Sequence, residues 1–258
     1  MKINHIYCES NIETLARMPD KFLDLVVTSP PYDNLRTYNG YSWDFEALAR
    51  ELFRVMKKGG VVVWVVGDAT INGSETGTSF KQALYFKEIG FNLHDTMIYE
   101  QAGTGAKGSN YAYWQTFEYM FVLAKGTPAA INRITYSQIN GGKNRGFRTK
   151  AAMIGSRQDR IGVLTPLESV RPNVWRYPVG CNDDTAHPAV FPEQLAKDHI
   201  LSWSNPGDLV YDPFMGSGTT AKAAHQLQRN WIGSEISAEY VELANKRLEP
   251  YLMQESLF

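Results

Sequence analysis

A hydroxyl, two prolines and a tyrosine stand together at Ser29-Pro30-Pro31-Tyr32. Far downstream lies a glycine-rich turn, Asp212-Pro213-Phe214-Met215-Gly216-Ser217-Gly218-Thr219-Thr220. The first string offers a hydroxyl acceptor and a tyrosine ring, on a loop that its prolines stiffen and whose preceding residues they force to be extended. In the second, glycines let the backbone approach a ligand closely, and the helix start that follows presents free N–H groups suited to a carboxylate. Further on, Gly233-Ser234-Glu235-Ile236 ends another apolar run. An acid at the end of that strand is well placed to hold two ribose hydroxyls. Two loops of this chemistry predict a cofactor pocket beside a reaction pocket.

Other ligand chemistries fit the glycine turn less well. A phosphate-binding loop needs Gly-Lys-Ser/Thr, and Lys222 is out of place for it. The spacing is not the Gly-x-Gly-x-x-Gly of nicotinamide sites either. The two cysteines, Cys8 and Cys181, supply neither a disulfide framework nor metal spacing, so no metal is expected.

Alternating strands and helices must carry these loops. Leu23-Asp24-Leu25-Val26-Val27 reads as a buried strand leading into the first loop, and Leu209-Val210-Tyr211 as one leading into the second. Phe45, Leu48, Leu52, Val55 and Met56 recur at helical spacing, with Lys57-Lys58-Gly59-Gly60 as a cationic last turn and glycine stop. Val61–Val66 is a continuous apolar run, as in a parallel strand covered on both faces. A helix is expected from Ser79 to Ile89 with Phe80, Leu84 and Ile89 apolar, and strands over 96–99 and 119–123. After 187, the expectation is a helix over 192–203, a strand over 209–211, a helix over 219–228, a strand over 231–236, and a last helix capped by Ser237. The regular alternation fills residues 1–125 and 183–258, two halves of one domain; residues 126–182 form a polar, glycine-rich insertion.

Charge singles out the same insertion. The formal net charge is −1, yet between residues 131 and 176 nine basic side chains face only Asp159 and Glu168. That stretch carries +7 and leaves −8 for the rest, the footprint of phosphate contact. Lys143, Arg145, Arg148, Lys150, Arg157 and Arg160 are its candidate nucleic-acid-binding residues. The N-terminus lacks the apolar core of a signal peptide, and the longest apolar run is far short of a membrane span, so a cytoplasmic protein is expected.

The two strings, with their order along the chain, resemble the signature of the amino-group DNA methyltransferases in the β arrangement. That family methylates cytosine N4 or adenine N6 with S-adenosyl-L-methionine. The resemblance implies a Rossmann-like α/β sheet with helices on both faces and the basic insertion as target-recognition region. It assigns Ser29, Pro30, Pro31 and Tyr32 to catalysis, and Asp212, Phe214, Gly216, Ser217, Gly218, Thr219 and Glu235 to the cofactor. His187-Pro188-Ala189-Val190-Phe191 resembles a further cofactor segment, which adds His187 and Phe191. Cys8-Glu9-Ser10 resembles the entry to the catalytic strand, where an Asp is common.

The implied chemistry is direct attack by an exocyclic amine of a flipped-out base. Its lone pair is delocalised into the ring, so two acceptors on its hydrogens, the Ser29 hydroxyl and the Pro30 carbonyl, would favour a pyramidal, reactive nitrogen, with Tyr32 stacking on the ring. Carbon-5 methylation needs a cysteine, normally after a proline, and neither cysteine follows one. Ser29 favours cytosine N4, whereas adenine-N6 enzymes of this arrangement usually carry Asp there. Adenine N6 stays the alternative, and a catalytically silent DNA-binding module a further one. A homodimer is common in the resembled family.

Overall fold

The computed structural model describes residues 1–31, 43–102, 113–147, 162–178 and 192–254, with backbone only at 144–147, 162–163 and 254. In chain order the elements begin β1 (His5–Cys8), α1 (Asn11–Ala16), β2 (Leu23–Thr28), α2 (Phe45–Val55) and β3 (Met56–Val66). A small hairpin, β4 (Thr70–Ile71) and β5 (Ser74–Glu75), leads to α3 (Thr78–Glu88), β6 (Asn92–Ala102) and β7 (Phe117–Ala124). Then come β8 (Thr135–Ser137), β9 (Asn144–Phe147), β10 (Gly162–Leu164), β11 (Glu168–Val170) and β12 (Val174–Pro178). The chain continues through α4 (Glu193–Trp203), β13 (Leu209–Asp212), α5 (Thr219–Gln226), β14 (Asn230–Glu235) and α6 (Ala238–Gln254).

Eight strands form one sheet in the order β1-β14-β13-β2-β3-β7-β6-β12. All neighbours are parallel except β7, which runs against β3 and β6. Helices α1, α2 and α3 pack in succession, as do α4, α5 and α6, and the two groups flank the sheet. This is why Val61–Val66 is apolar at every position: all six side chains are fully buried. Among the described residues no helix is long and apolar enough to cross a membrane.

The connections locate the ligand crevice. From β2 the chain passes through α2 to β3 on one side; from β13 it passes through α5 to β14 on the other. The winding therefore diverges between β2 and β13, which are hydrogen-bonded neighbours. In open α/β sheets ligands bind at the carboxyl ends of the strands at such a switch point. Both motif loops leave from there.

Contacts between distant segments redraw two of the expected helices. α2 ends at Val55, and Lys57-Lys58-Gly59-Gly60 already belongs to β3 rather than to a last turn. Lys57 reaches Asp24 of β2 at 2.7 Å, and the Gly59 N–H donates to the Lys125 carbonyl at 2.7 Å, so pairing wins over helix continuation. On α3 the inward positions are Ser79, Gln82, Ala83 and Phe86, while Phe80 and Leu84 are exposed. Gln82 turns inward because its side-chain oxygen accepts from the buried Trp64 indole at 2.8 Å. β1 and α1 lie outside the elements expected from the sequence, although Ser10 and Glu13 form a capping box.

The chain divides into two compact units, residues 1–132 with 173–258, and residues 133–172. The smaller unit holds two short antiparallel pairs, β8 with β11 and β9 with β10. Val174–Pro178, within the expected insertion over 126–182, is the edge strand β12 of the main sheet.

Candidate active site

The two loops are joined at their roots. Parallel pairing sets Val210 opposite Leu25 and Tyr211 opposite Val26, which brings Thr28 and Asp212 to the same edge. The Thr28 hydroxyl donates to Asp212 Oδ1 at 2.7 Å in a buried bond. The same oxygen accepts from the Phe214 N–H at 3.0 Å, and the Thr220 hydroxyl of α5 donates to the Val27 carbonyl at 3.3 Å. Burial pushes the Asp212 carboxyl up to about 6, against the pull of the bonds from Thr28, Phe214 and Thr220. Beyond Thr28, Ser29 is part-buried, Pro30 buried and Pro31 part-buried.

The second loop is shaped by glycine. Gly218 has φ +82°, and a Cβ there would lie 3.1 Å from the Ala244 Cβ of α6. α5 starts at Thr219 with no side-chain cap, as suits a helix whose first N–H groups are to meet a ligand. Glu235, at the end of β14, is part-buried; Oε2 accepts from the Gly216 N–H at 2.8 Å and Oε1 from the Ser237 N–H at 2.9 Å. Burial raises its pKa above the ordinary carboxylate value, and these backbone bonds pull the other way. Each carboxylate oxygen keeps further lone pairs for a ligand. Arg247 of α6 donates to the Ser217 carbonyl, the Ser217 hydroxyl and Thr219 Oγ1 at 3.2, 3.3 and 2.9 Å. A glycine turn, an uncapped helix start and an acid on the adjoining strand fit a ligand bearing a carboxylate and vicinal hydroxyls.

The model of the N6/N4 DNA methylase family matches residues 23–246, which span both loops and the sheet between them. The chain belongs to this family. Within it, the chain is 54% identical over 244 residues to the orphan methyltransferase M.BamHII of Bacillus amyloliquefaciens, covering 91% of each chain. It is 27% identical to the DNA adenine methyltransferase YhdJ of Escherichia coli K12, over 91% of this chain and 79% of that protein. A candidate DNA modification methylase of Thermus thermophilus, solved with S-adenosyl-L-methionine, superposes with a TM-score of 0.65. Its identity to this chain is 25%, over 96% of this chain and 93% of that one.

In this DNA methylase the structure brings Ser29, Pro30, Pro31, Asp212, Phe214, Gly216, Ser217, Gly218, Thr219 and Glu235 to the carboxyl ends of β2, β13 and β14. Tyr32, His187 and Phe191 lie outside the described residues, as do Arg148, Lys150, Arg157 and Arg160. Lys143 is exposed in the smaller unit, and Arg145 lies on β9. Glu9 pairs with Arg17 and accepts from Thr14, while Ser10 caps α1, so both side chains serve the local structure.

Three residues of the methylase site have roles that local sequence does not announce. Thr28 reads only as part of the motif, and its bond to Asp212 depends on strand register. Arg247 lies on a helix with no motif of its own. Trp43 lies just ahead of α2, and its only local signal is its nearness to Phe45, the first residue of that helix. Its indole N–H donates to the Pro31 carbonyl at 3.2 Å, and its ring packs edge-on against Phe214 at 4.9 Å.

Proposed function

We propose that this DNA methylase transfers a methyl group from S-adenosyl-L-methionine to the exocyclic N4 of cytosine in DNA. The observation that carries the reading is Ser29 at the end of β2, hydrogen-bond-linked through its neighbour Thr28 to the loop after β13. When bound, S-adenosyl-L-methionine would supply a methyl group on a sulfonium centre: as the amine nitrogen takes the methyl carbon, the S–CH3 bond would break to leave a neutral thioether, and the amine would release one proton to solvent. Glu235 would hold the ribose hydroxyls, and the first N–H groups of α5, beside the 216–218 turn, would hold the carboxylate. Phe214 lines the adenine or sulfonium side. The Ser29 hydroxyl and Pro30 carbonyl accept the hydrogens of the target amine, directing its lone pair at the methyl carbon. No covalent intermediate with the chain is required.

The target base must leave the duplex, at a cost of roughly a few kcal/mol, before its amine can reach these acceptors. Lys143, Arg145, Arg148, Lys150, Arg157 and Arg160 contact the phosphates, and Tyr32 stacks on the flipped ring. His187 and Phe191 complete the cofactor pocket. Serine at position 29 favours N4; the Escherichia coli relative, a DNA adenine methyltransferase by name, keeps adenine N6 as the second reading.

The test is incubation with mixed-sequence duplex DNA and methyl-labelled cofactor, followed by nucleoside digestion and mass spectrometry. N4-methylcytosine is expected; labelled N6-methyladenine would overturn the base assignment and leave the site intact. Ser29→Ala should cut turnover far more than cofactor affinity, and full activity in that variant would remove Ser29 from catalysis.

A further inference from the structure

We propose that Trp43 is a positioning residue that couples the cofactor loop to the catalytic loop, a role that rests on the functional reading of Pro30 and Phe214 above. The ring is seated by its surroundings: it lies 6.0 Å from Phe45 and 6.1 Å from Trp64. Both of those pack in turn on Phe86, at 5.3 and 5.2 Å. Trp64 is fully buried and anchored by its own indole bond to Gln82. Trp43 is thus the outer ring of an aromatic chain rooted in the core.

From that seat it touches both halves of the site. Its edge-to-face contact with Phe214, with rings at 70°, bears on the residue that begins the glycine loop. Its N–H holds the Pro31 carbonyl. Proline fixes φ at Pro30 and Pro31, so ψ is the soft torsion left at each. A hydrogen bond to the Pro31 carbonyl fixes that ψ, and through the rigid peptide links it restrains the Pro30 carbonyl one residue back. A displacement of Phe214 when the cofactor loop fills or empties is therefore passed by one side chain to the acceptor that holds the target amine. Trp43 joins Pro31 and Phe214 directly, by a hydrogen bond on one side and a ring contact on the other.

The whole chain is assayed for methyl transfer to duplex DNA as Trp43→Phe and Trp43→Ala, with cofactor affinity measured by calorimetry on the same preparations. Trp43→Phe keeps a ring against Phe214 and Trp64 but has no N–H. Its kcat should fall about ten-fold while cofactor Kd stays within about two-fold, the signature of lost positioning rather than lost binding. Trp43→Ala should lose both kcat and cofactor affinity. Wild-type kcat in Trp43→Phe would overturn the proposal, and so would a parallel loss of kcat and cofactor affinity in that variant, which would make the residue a packing element only. The comparison is a ratio to wild type on whichever base is methylated. An error in the N4 reading therefore appears in the wild-type nucleoside, and an error about Trp43 only in the variants.

Discussion

Thr28 and Asp212, 184 residues apart in the chain, share a buried hydrogen bond of 2.7 Å. It closes the switch point of the sheet, because one residue ends the strand before the Ser29-Pro30-Pro31 loop and the other ends the strand before the glycine turn. The cost of burying an acid there is visible in its raised pKa, and the site retains it where an amide of the same shape would be cheaper.

Asp212→Asn should separate stability from function. The folded carboxyl titrates at about 6 against an ordinary 3.8, so folding favours its neutral form. Its contribution to stability is complete below the ordinary value and is lost as pH rises through about 6, a difference on the order of 3 kcal/mol. Thermal melts from about pH 4.5 to 7.5 should show the variant gaining on wild type as pH rises, while methyl transfer declines. A variant less stable than wild type at the upper end of that range would show that the charge is needed for the fold.

Glu235→Gln should weaken cofactor binding about ten-fold or more with kcat at saturating cofactor changed much less, since one acceptor oxygen becomes a donor facing backbone N–H groups. Because the Glu235 pKa is raised, wild-type cofactor affinity should decline on acidification earlier than an ordinary carboxylate would allow. Calorimetric titration between about pH 5 and 8 reads both effects.

Arg247→Ala removes three bonds to Ser217 and Thr219 and leaves Glu193 paired with Lys197 and Lys222, each at 2.7 Å. The loop then loses its brace, and cofactor KM should rise about ten-fold, since the three contacts share the two hydrogens of one guanidinium nitrogen and act as about one charge-assisted hydrogen bond. Arg247→Lys should recover part of this. Unchanged KM in the alanine variant would mean that Gly218 and its contact with α6 hold the loop unaided.

DNA affinity should fall steeply with added salt if the basic stretch contacts phosphates. Replacing Arg148, Lys150, Arg157 and Arg160 by alanine should flatten the log–log salt slope by up to about 0.9 per lost phosphate contact. An unchanged slope would move the phosphate-contacting surface elsewhere on the chain.

Residue type and local order determined the chemistry that could be read in advance. Ser29-Pro30-Pro31 and the Gly216–Thr220 turn carry their meaning in short strings, because a stiff proline loop and a glycine turn before a helix are local constraints. The apolar run Val61–Val66 likewise announced a strand covered on both faces. What lies between segments needed the tertiary structure. The Thr28–Asp212 bond exists only because β2 and β13 pair in one register, and Arg247 reaches Ser217 only because α6 packs on α5. Lys57 leaves its helix pattern for an ion pair with Asp24, and Gln82 displaces Phe80 and Leu84 from the core because the Trp64 indole needs an acceptor. Trp43 acquired its two contacts in the same way, from a ring that local sequence marks only as apolar. Local strings fix torsions and donor types, whereas strand register and packing, set by the burial of the whole chain, decide which of those groups meet.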